Sequence, residues 1–421
     1  MIHKIGQIVK IKTDQHSEYL AVIKKLYQKN TNPKLGLSRI KKLLEVCGFD
    51  RSSFSIVQVV GTNGKGSTVA FLESILRENG IAVGLFSSPH LSCVRERIRI
   101  NGQMIGEDDF LAAANQVLSC ANEVEDPSFF ECILAMALWL FQKKGVSVVI
   151  LEAGLGGRLD ATSATDPDIL GVSSIDLDHQ QILGNTISLI TKEKLMAARP
   201  GQKVVSVLQN EEAQKALIKA QEEIGFELSY AESCHEPLGL FGEHQKLNAG
   251  LALALLKELK VRADIKKNLL GLLLVNWPGR FEIIDGAVPI VLDGAHNPSG
   301  METLVDALKV HPLVSGRPLI VIYGSLASEN AKRKADILMK SKPEVIIFHE
   351  PKNPRAMKVG ELKQLFSGYD VEQLAFLSLE HATLLCSKRG AALVISGSLY
   401  TVGELRAKIL SIEMDELAPN F

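Results

Sequence analysis

Short apolar runs of four to six residues alternate with longer stretches in which apolar positions recur every three or four residues. Ser55-Ile56-Val57-Gln58-Val59-Val60 reads as a buried strand. A glycine-rich turn follows it, and Val69, Leu72, Ile75 and Leu76 then predict a helix that Asn79-Gly80 stops. Ile81–Phe86, Val146–Leu151 and Ile169–Ser173 read as three more strands. Strands spaced by helices imply parallel βαβ units covered on both faces. A second series begins near residue 288, with strands at Pro289–Leu292, Leu319–Ile322, Val345–Phe348 and Ala392–Ile395 and a helical pattern from Met301 to Val310. Trp277-Pro278-Gly279 is a strong breaker between the series. The boundary is placed there, giving domains 1–278 and 279–421 with no internal repeat.

The chain has 421 residues, enough for two or three domains at roughly 150 residues each. Its 46% hydrophobic and 23% charged residues exclude a disordered or low-complexity chain. Forty-seven basic residues balance 48 acidic ones, so there is no global field with which to grip nucleic acid or an anionic membrane. The longest apolar run, Ile133–Phe141, is half of the roughly 20 residues that a bilayer span needs. The N-terminus is charged and lacks the apolar core of a signal peptide. Six cysteines without a Cys-x-x-Cys pair read as reduced, buried thiols. The expectation is a cytoplasmic protein with no zinc site, no nucleic-acid partner and no membrane partner.

The sharpest chemical signal is Gly61-Thr62-Asn63-Gly64-Lys65-Gly66-Ser67-Thr68, between a predicted strand and a predicted helix. Glycines let the backbone curl so that successive N–H groups face phosphate oxygens, and a helix N-terminus adds positive potential. Lys65, read as part of a solvated loop, supplies a point charge for terminal phosphates, and Ser67 or Thr68 offers a hydroxyl. The loop departs from the usual P-loop: position 59 is Val59, and Gly66 separates Lys65 from Ser67. A second signal is Glu152, just after its predicted strand. An acid at the C-terminal end of a parallel strand faces the crevice where open α/β sheets bind ligands, and the glycines after it would let a substrate approach the backbone.

The loop resembles that of the folylpolyglutamate synthase and dihydrofolate synthase family. The related peptidoglycan-precursor (Mur) ligases carry Thr where this chain has Gly66. Further segments match in order: Leu35–Ile40, Ser87–Leu91, Leu151–Thr162, His244-Gln245 with Asn248-Ala249, Trp277–Glu282, Asp293–Pro298, Asn353–Ala356 and Gly397–Tyr400. The resemblance implies an α/β fold: an N-terminal P-loop ATPase-type domain with a mostly parallel sheet, and a smaller C-terminal Rossmann-like domain.

It also implies residue roles. ATP would be bound by Gly64, Lys65, Gly66 and Ser67, with Asn248 on the adenine, Arg280 on phosphate and Asp293 on the ribose. Magnesium, expected as two ions with manganese able to replace it, would sit on Ser88, Glu152, His179 and a carbamylated Lys194. The pterin would be lined by Ser128, Phe129, Phe130, Glu131, Leu159, Asp160 and Ala161. Asp160 would accept from pterin N–H groups, and the Arg158–Thr162 sequence is of the bifunctional type. Lys65 and His296 are the expected catalytic residues, and His296 and Ser398 the expected glutamate or phosphate contacts. Where the family has an Asp-Lys-Asp segment, this chain has Gly324–Asn330, and no role is assigned to that loop.

The implied activity is ATP-dependent addition of L-glutamate to dihydropteroate and to the γ-carboxylate of tetrahydrofolate and its polyglutamates, through an acyl phosphate, by a monomer. Alternatives are polyglutamylation alone, a Mur-type peptide ligase, which Gly66 and Arg158–Thr162 disfavour, and a non-catalytic nucleotide switch, which would have lost Lys65, Glu152 or His179.

Overall fold

The computed structural model describes residues 2–29 and 36–415. Leu35, at the head of the Leu35–Ile40 motif, lies outside them. Among the described residues, eight strands form the first sheet: β1 (Ser55–Val60), β2 (Val83–Phe86), β3 (Ile98–Ile100), β4 (Gln103–Met104), β5 (Val148–Glu152), β6 (Ile169–Val172), β7 (Lys203–Ser206) and β8 (Glu227–Tyr230). Their spatial order is β4-β3-β2-β5-β1-β6-β7-β8. The pairs from β2 through β8 are parallel, and β3 and β4 add an antiparallel edge.

Side chains alternate along each strand, so both faces of this sheet find cover. In β5, Val149 and Leu151 enter the core under helices Glu107–Cys120 and Phe129–Lys143. Val148 and Ile150 face helices Lys65–Glu78 and His244–Glu258 on the other side.

Six strands form the second sheet: β9 (Glu282–Ile284), β10 (Ile290–Leu292), β11 (Leu319–Tyr323), β12 (Val345–Phe348), β13 (Glu372–Ala375) and β14 (Ala392–Ser396). Their order is β13-β12-β11-β14-β10-β9, parallel except for β9. Along β11, Val321 and Tyr323 enter one core while Ile320 and Ile322 enter the other. Both sheets are the mostly parallel α/β kind that the sequence predicts.

Several strands begin or end a residue or two from the sequence reading. β5 starts at Val148 and takes in Glu152 as its last residue. The strands β3, β4, β8, β9 and β13, at or next to the sheet edges, are not apparent in the sequence, because they are short and keep polar or half-exposed positions.

The two sheets are not independent of one another. Leu91, from the segment after β2, packs in the second sheet's core. A Cβ on Gly403 would meet the Leu91 carbonyl oxygen at 2.3 Å, so the helix Leu399–Leu410 can approach only because that position is glycine.

Candidate active site

The loop after β1 turns into the helix Lys65–Glu78. Its N–H groups divide into two sets. Those of Thr62 and Asn63 donate to the Ser174 carbonyl, at 2.8 and 3.1 Å, and so are not available to a phosphate. The first helical bond runs from Thr68 N–H to Gly64 O, which leaves the N–H groups of Lys65, Gly66 and Ser67 without a backbone acceptor at the positive end of the helix. The free N–H groups thus belong to three of the four loop residues expected on ATP, Gly64, Lys65, Gly66 and Ser67. Gly64 holds φ +88° as the N-cap, and a Cβ there would strike Asn248 Oδ1 at 2.2 Å. Lys65 is the first helical residue and is partly buried, not in a solvated loop. Its Nζ donates to the carbonyls of Gly61 (3.0 Å) and Thr62 (3.2 Å).

Pairing of β2 with β5 sets Phe86 beside Leu151, which brings Ser88 to Glu152. The Ser88 N–H donates to Glu152 Oε2 at 3.1 Å, and a cis peptide bond joins Ser88 to Pro89. Burial pushes the Glu152 carboxyl above its usual range, opposed by the Lys65 charge and the Ser88 bond. A buried carboxylate with that one hydrogen bond, in a cleft that Ser88 and His179 also line, suits a hard dication with bound water. His179 heads the short helix Gln180–Leu183 with φ +49°, and its ring is half-exposed in the same cleft. Lys194, 4% exposed, lies under the nucleotide loop and donates to Gly61 O at 2.8 Å. Burial, with the Lys65 charge adding to it, lowers the Lys194 ammonium to about 7.

The second sheet supplies the opposite wall. Arg280, Asp293 and His296 line the cleft with Lys65, Glu152 and Lys194. Asp293 accepts from the N–H groups of Phe281 and Ala295, both at 2.8 Å, and so secures the turn that presents Arg280. Asn248 donates to Gln245 Oε1 at 2.9 Å. His296 Nδ1 is 2.9 Å from Gly294 O, and its Nε2 lies 3.7 Å from Asp178 Oδ2. Burial alone would raise Asp178, but the bond and charge of His296, the charge of His179 and the Asn297 amide hold it well below the carboxylate range. Asn297 also pairs with Asn63 of the nucleotide loop: Asn297 Nδ2 donates to Asn63 Oδ1 at 2.9 Å, and Asn63 Nδ2 to Asn297 Oδ1 at 3.3 Å. The sequence reading assigns no role to Asn63, Asp178 or Asn297. The Asp293–Pro298 motif contains Asn297, and Asp178 precedes His179, so both were within reach of motif reading.

The residues expected around the pterin fall into two groups. Ser128 and Glu131 form a capping box for the helix Phe129–Lys143, and Arg39 approaches Glu131 at 3.5 Å. Phe129 is a core residue, stacked on Tyr27 with the Arg97 guanidinium over its ring. Phe130 is only partly buried, edge-on to Phe86, and reaches Gly154. Leu159 is also partly buried, whereas Ala161 is buried.

Asp160 has both oxygens engaged. Oδ2 accepts from the N–H groups of Gly154 (2.9 Å) and Leu155 (2.8 Å), and Oδ1 from the N–H and hydroxyl of Thr162 (3.0 and 2.5 Å). The carboxylate offered to the pterin thus folds the loop after β5 upon itself. The glycines of that loop serve the same packing: a Cβ on Gly157 would meet the Lys194 carbonyl at 2.2 Å. Ser398 is likewise spent, as the buried N-cap of the helix Leu399–Leu410, accepting from the Thr401 N–H at 3.2 Å. In the loop that departs from the family pattern, Ser325 accepts from the buried Lys334 at 2.7 Å, and Asn330 donates to Gln180 at 3.3 Å.

Comparison with known proteins identifies the family of this chain. Residues 279–399 match the family described as Mur ligase, glutamate ligase domain. The dihydrofolate synthase/folylpolyglutamate synthase of Bacillus subtilis is 31% identical over 420 residues, covering 89% of this chain and 95% of that one. A Haloferax volcanii protein named as a probable bifunctional folylpolyglutamate synthase/dihydropteroate synthase is also 31% identical over 89% of this chain, which spans only 48% of its length. Escherichia coli FolC, solved in complex with DHPP and ADP, superposes with a TM-score of 0.83 at 26% identity, covering 93% of this chain and 98% of that one. A bifunctional folylpolyglutamate synthase/dihydrofolate synthase, solved with Mn, AMPPNP and L-glutamate bound, superposes with a TM-score of 0.79 at 28% identity, covering 90% and 95%. The chain belongs to the dihydrofolate synthase/folylpolyglutamate synthase family.

Proposed function

We propose that this chain is an ATP-dependent ligase that joins L-glutamate to dihydropteroate, giving dihydrofolate, and to the γ-carboxylate of tetrahydrofolate and its polyglutamates. The observation that carries the reading is the cleft in which Lys65, Glu152 and Lys194 from the first sheet face Arg280 and His296 from the second. Residues 1–278 are assigned to ATP and pterin, and residues 279–421 to glutamate ligation. The protein is expected to work in the cytoplasm as a monomer. Among the described residues, no helix is long and apolar enough to cross a membrane.

A carboxylate does not react with an amine at neutral pH, because oxide would have to leave. ATP therefore phosphorylates the acceptor carboxylate first, and the glutamate amine then displaces phosphate from the acyl phosphate. The free N–H groups at the head of the helix Lys65–Glu78 would orient the nucleotide phosphates. Lys65, drawn from its two loop carbonyls, would offset charge on the transferring phosphoryl group. Arg280 would supply a planar fork to a phosphate, and Asn248 an amide to the base. Ser88, Glu152, His179 and carbamylated Lys194 would hold two magnesium ions, or manganese in their place, which when bound lower the charge on the phosphates. His296, half-exposed beside Asp178, would meet the incoming amino acid. Phe130 offers an apolar face to the flat pterin. The Asn63–Asn297 contact between the two walls would help to exclude water, which otherwise hydrolyses the acyl phosphate.

The test is phosphate release from ATP and L-glutamate with dihydropteroate, tetrahydrofolate or a muramyl peptide as acceptor. Release with both folates supports the bifunctional reading. Release with tetrahydrofolate alone reduces it to polyglutamylation, and release with only the muramyl peptide replaces it.

A further inference from the structure

A second cavity lies beside the nucleotide-loop helix, farther along it than the cleft. Its walls are Glu73 and Arg77 of that helix, Arg99 of β3, the β3–β4 turn at Gly102 and the linker at Asn276 and Trp277. None of these residues is given a ligand in the ligase reading, although Trp277 opens a motif that carries the family resemblance. Gln103 and Asn276, both exposed, stand at its mouth.

Two charged residues on its walls, Arg99 and Glu73, carry buried polar atoms that no hydrogen bond satisfies. Arg99 is held over the Trp277 indole, 5.2 Å from the ring centroid. Among the described residues it makes no ion pair within 4 Å, and its Nε has no hydrogen-bond acceptor. Glu73 is 7% exposed and is held on the other wall. Its Oε1 forms an ion pair with Arg77 Nε at 3.4 Å that is not a hydrogen bond. Gly102 presses on this pair so closely that a Cβ there would sit 2.9 Å from Arg77 Nε and 3.3 Å from Glu73 Oε1. Arg77 is already committed, to Glu78 at 2.5 Å and to Ser74 at 3.2 Å. Arg99 Nε and Glu73 Oε1 are thus left without hydrogen-bond partners on the walls of one polar space, with Glu73 ion-paired only to Arg77.

A simple anion in that space would meet Glu73, and a simple cation would meet Arg99. A ligand carrying both charges satisfies both walls. We propose that this cavity is a second ligand site, for a small zwitterionic α-amino acid whose carboxylate sits on Arg99 and whose ammonium faces Glu73. Trp277 ties the site to the nucleotide loop: its Nε1 is 2.8 Å from where a Cβ on Gly66 would be. Amino acid bound on Arg99 therefore bears on the indole that backs the loop, and any effect on nucleotide affinity must be returned in kind.

The chain has two tryptophans, so Trp139→Phe leaves Trp277 as the sole reporter. The fluorescence of that variant, saturated with ADP, is titrated with glycine, L-alanine, acetate and methylammonium. Glycine and L-alanine lack the side-chain carboxylate of the glutamate substrate, so binding at the ligation site is kept apart from binding here. The expected result is a saturable change with glycine or L-alanine, weakened roughly tenfold or more by Arg99→Gln and by Glu73→Gln, the loss of one charge-assisted bond in each case. Gln103→Phe, which narrows the mouth without touching either charge, should also weaken it and serves if the buried variants do not fold. The proposal is overturned if neither amino acid gives a saturable change. It is equally overturned if acetate binds as well as glycine and is indifferent to Glu73→Gln, or if the response survives both Arg99→Gln and Gln103→Phe.

Discussion

Lys65 and Lys194 donate to the same acceptor, the carbonyl oxygen of Gly61, at 3.0 and 2.8 Å. Two ammonium groups therefore converge on one peptide oxygen, and the more deeply buried one is destabilised. Lys194 falls to about 7, chiefly by burial and secondarily by the Lys65 charge. At neutral pH a large fraction of Lys194 is then free amine, the form that adds carbon dioxide to give a carbamate. Labelled bicarbonate should give a carbamate carbon signal by NMR that Lys194→Ala lacks. The signal should shrink as pH falls below about 7. The stability sign for the unmodified lysine is the reverse of an ion pair's. Between about 7 and the ordinary lysine value of 10.5, the unfolded chain binds a proton that the folded chain has released, so stability should rise with pH across that window. A carbamate signal unchanged in Lys194→Ala would remove the modification from the reading.

Lys65 holds its charge at the head of the helix by two carbonyl contacts that a phosphate would replace. Lys65→Ala should therefore keep the fold and lose roughly 10²-fold or more in turnover, comparable to removal of one oxyanion donor. Steady-state kinetics on a variant with parental circular dichroism checks this, and near-parental turnover would contradict the assignment.

Asn63 and Asn297 are separated by 234 positions and exchange side-chain amide hydrogen bonds between the two sheets' walls. Asn297 Oδ1 also caps the helix Pro298–Val310 by accepting from Gly300 N–H at 2.8 Å. The two alanine variants should therefore differ. Asn297→Ala should cost about 0.5–2 kcal/mol in thermal or denaturant unfolding, the range for a lost N-cap. Asn63→Ala should leave stability closer to the parent and show its effect in turnover. Equal stability losses would mean that the cap is not what Asn297 contributes.

Apolar runs made most central strands legible. β1, β5, β11, β12 and β14 are buried on both faces, so nearly every position must be apolar. β3, with Arg99 between two isoleucines, and β8, with exposed Glu227 and Tyr230, lie near or at the edges of their sheet and carry no such signature. In the site, Lys65 and Glu152 were legible because their chemistry is local to a strand end. The Asn63–Asn297–Asp178 contacts were not, because they arise only when the two sheets are brought together. The use of Asp160 was hidden for a different reason: a carboxylate that folds its own loop and one that binds a ligand have the same sequence.

That use changes the expectation for Asp160. Its four acceptor positions are filled by Gly154, Leu155 and Thr162. Asp160→Asn places an NH2 group against backbone donors and should destabilise the protein by about 1.5–3 kcal/mol, the scale of hydrogen bonds to a charged group. It should lower kcat/KM for dihydropteroate and tetrahydrofolate alike, because the whole loop after β5 shifts. A selective loss for dihydropteroate with parental stability would instead put Asp160 on the pterin.

Gly66, where the related Mur ligases carry threonine, has a steric explanation here. A Cβ at this position would lie 2.8 Å from Trp277 Nε1, closer than side chains tolerate, and 3.4 Å from Glu152 Oε1. The indole cannot yield easily, because Arg99 lies over its ring. Gly66→Ala should therefore push Trp277 from the loop and weaken ADP binding, although alanine favours helix over glycine by about 1 kcal/mol. The two effects can be separated by pairing the change with Trp277→Phe, which removes the five-membered ring that carries Nε1. If the contact is the cause, ADP affinity lost in Gly66→Ala should be largely recovered in the double variant, giving a coupling energy within the roughly 0.5–3 kcal/mol seen between touching residues. Calorimetry of ADP binding to the parent, the two single variants and the double variant closes the cycle. Additive losses would mean that Gly66 is required by the approach of the nucleotide to the backbone, and not by the tryptophan behind it.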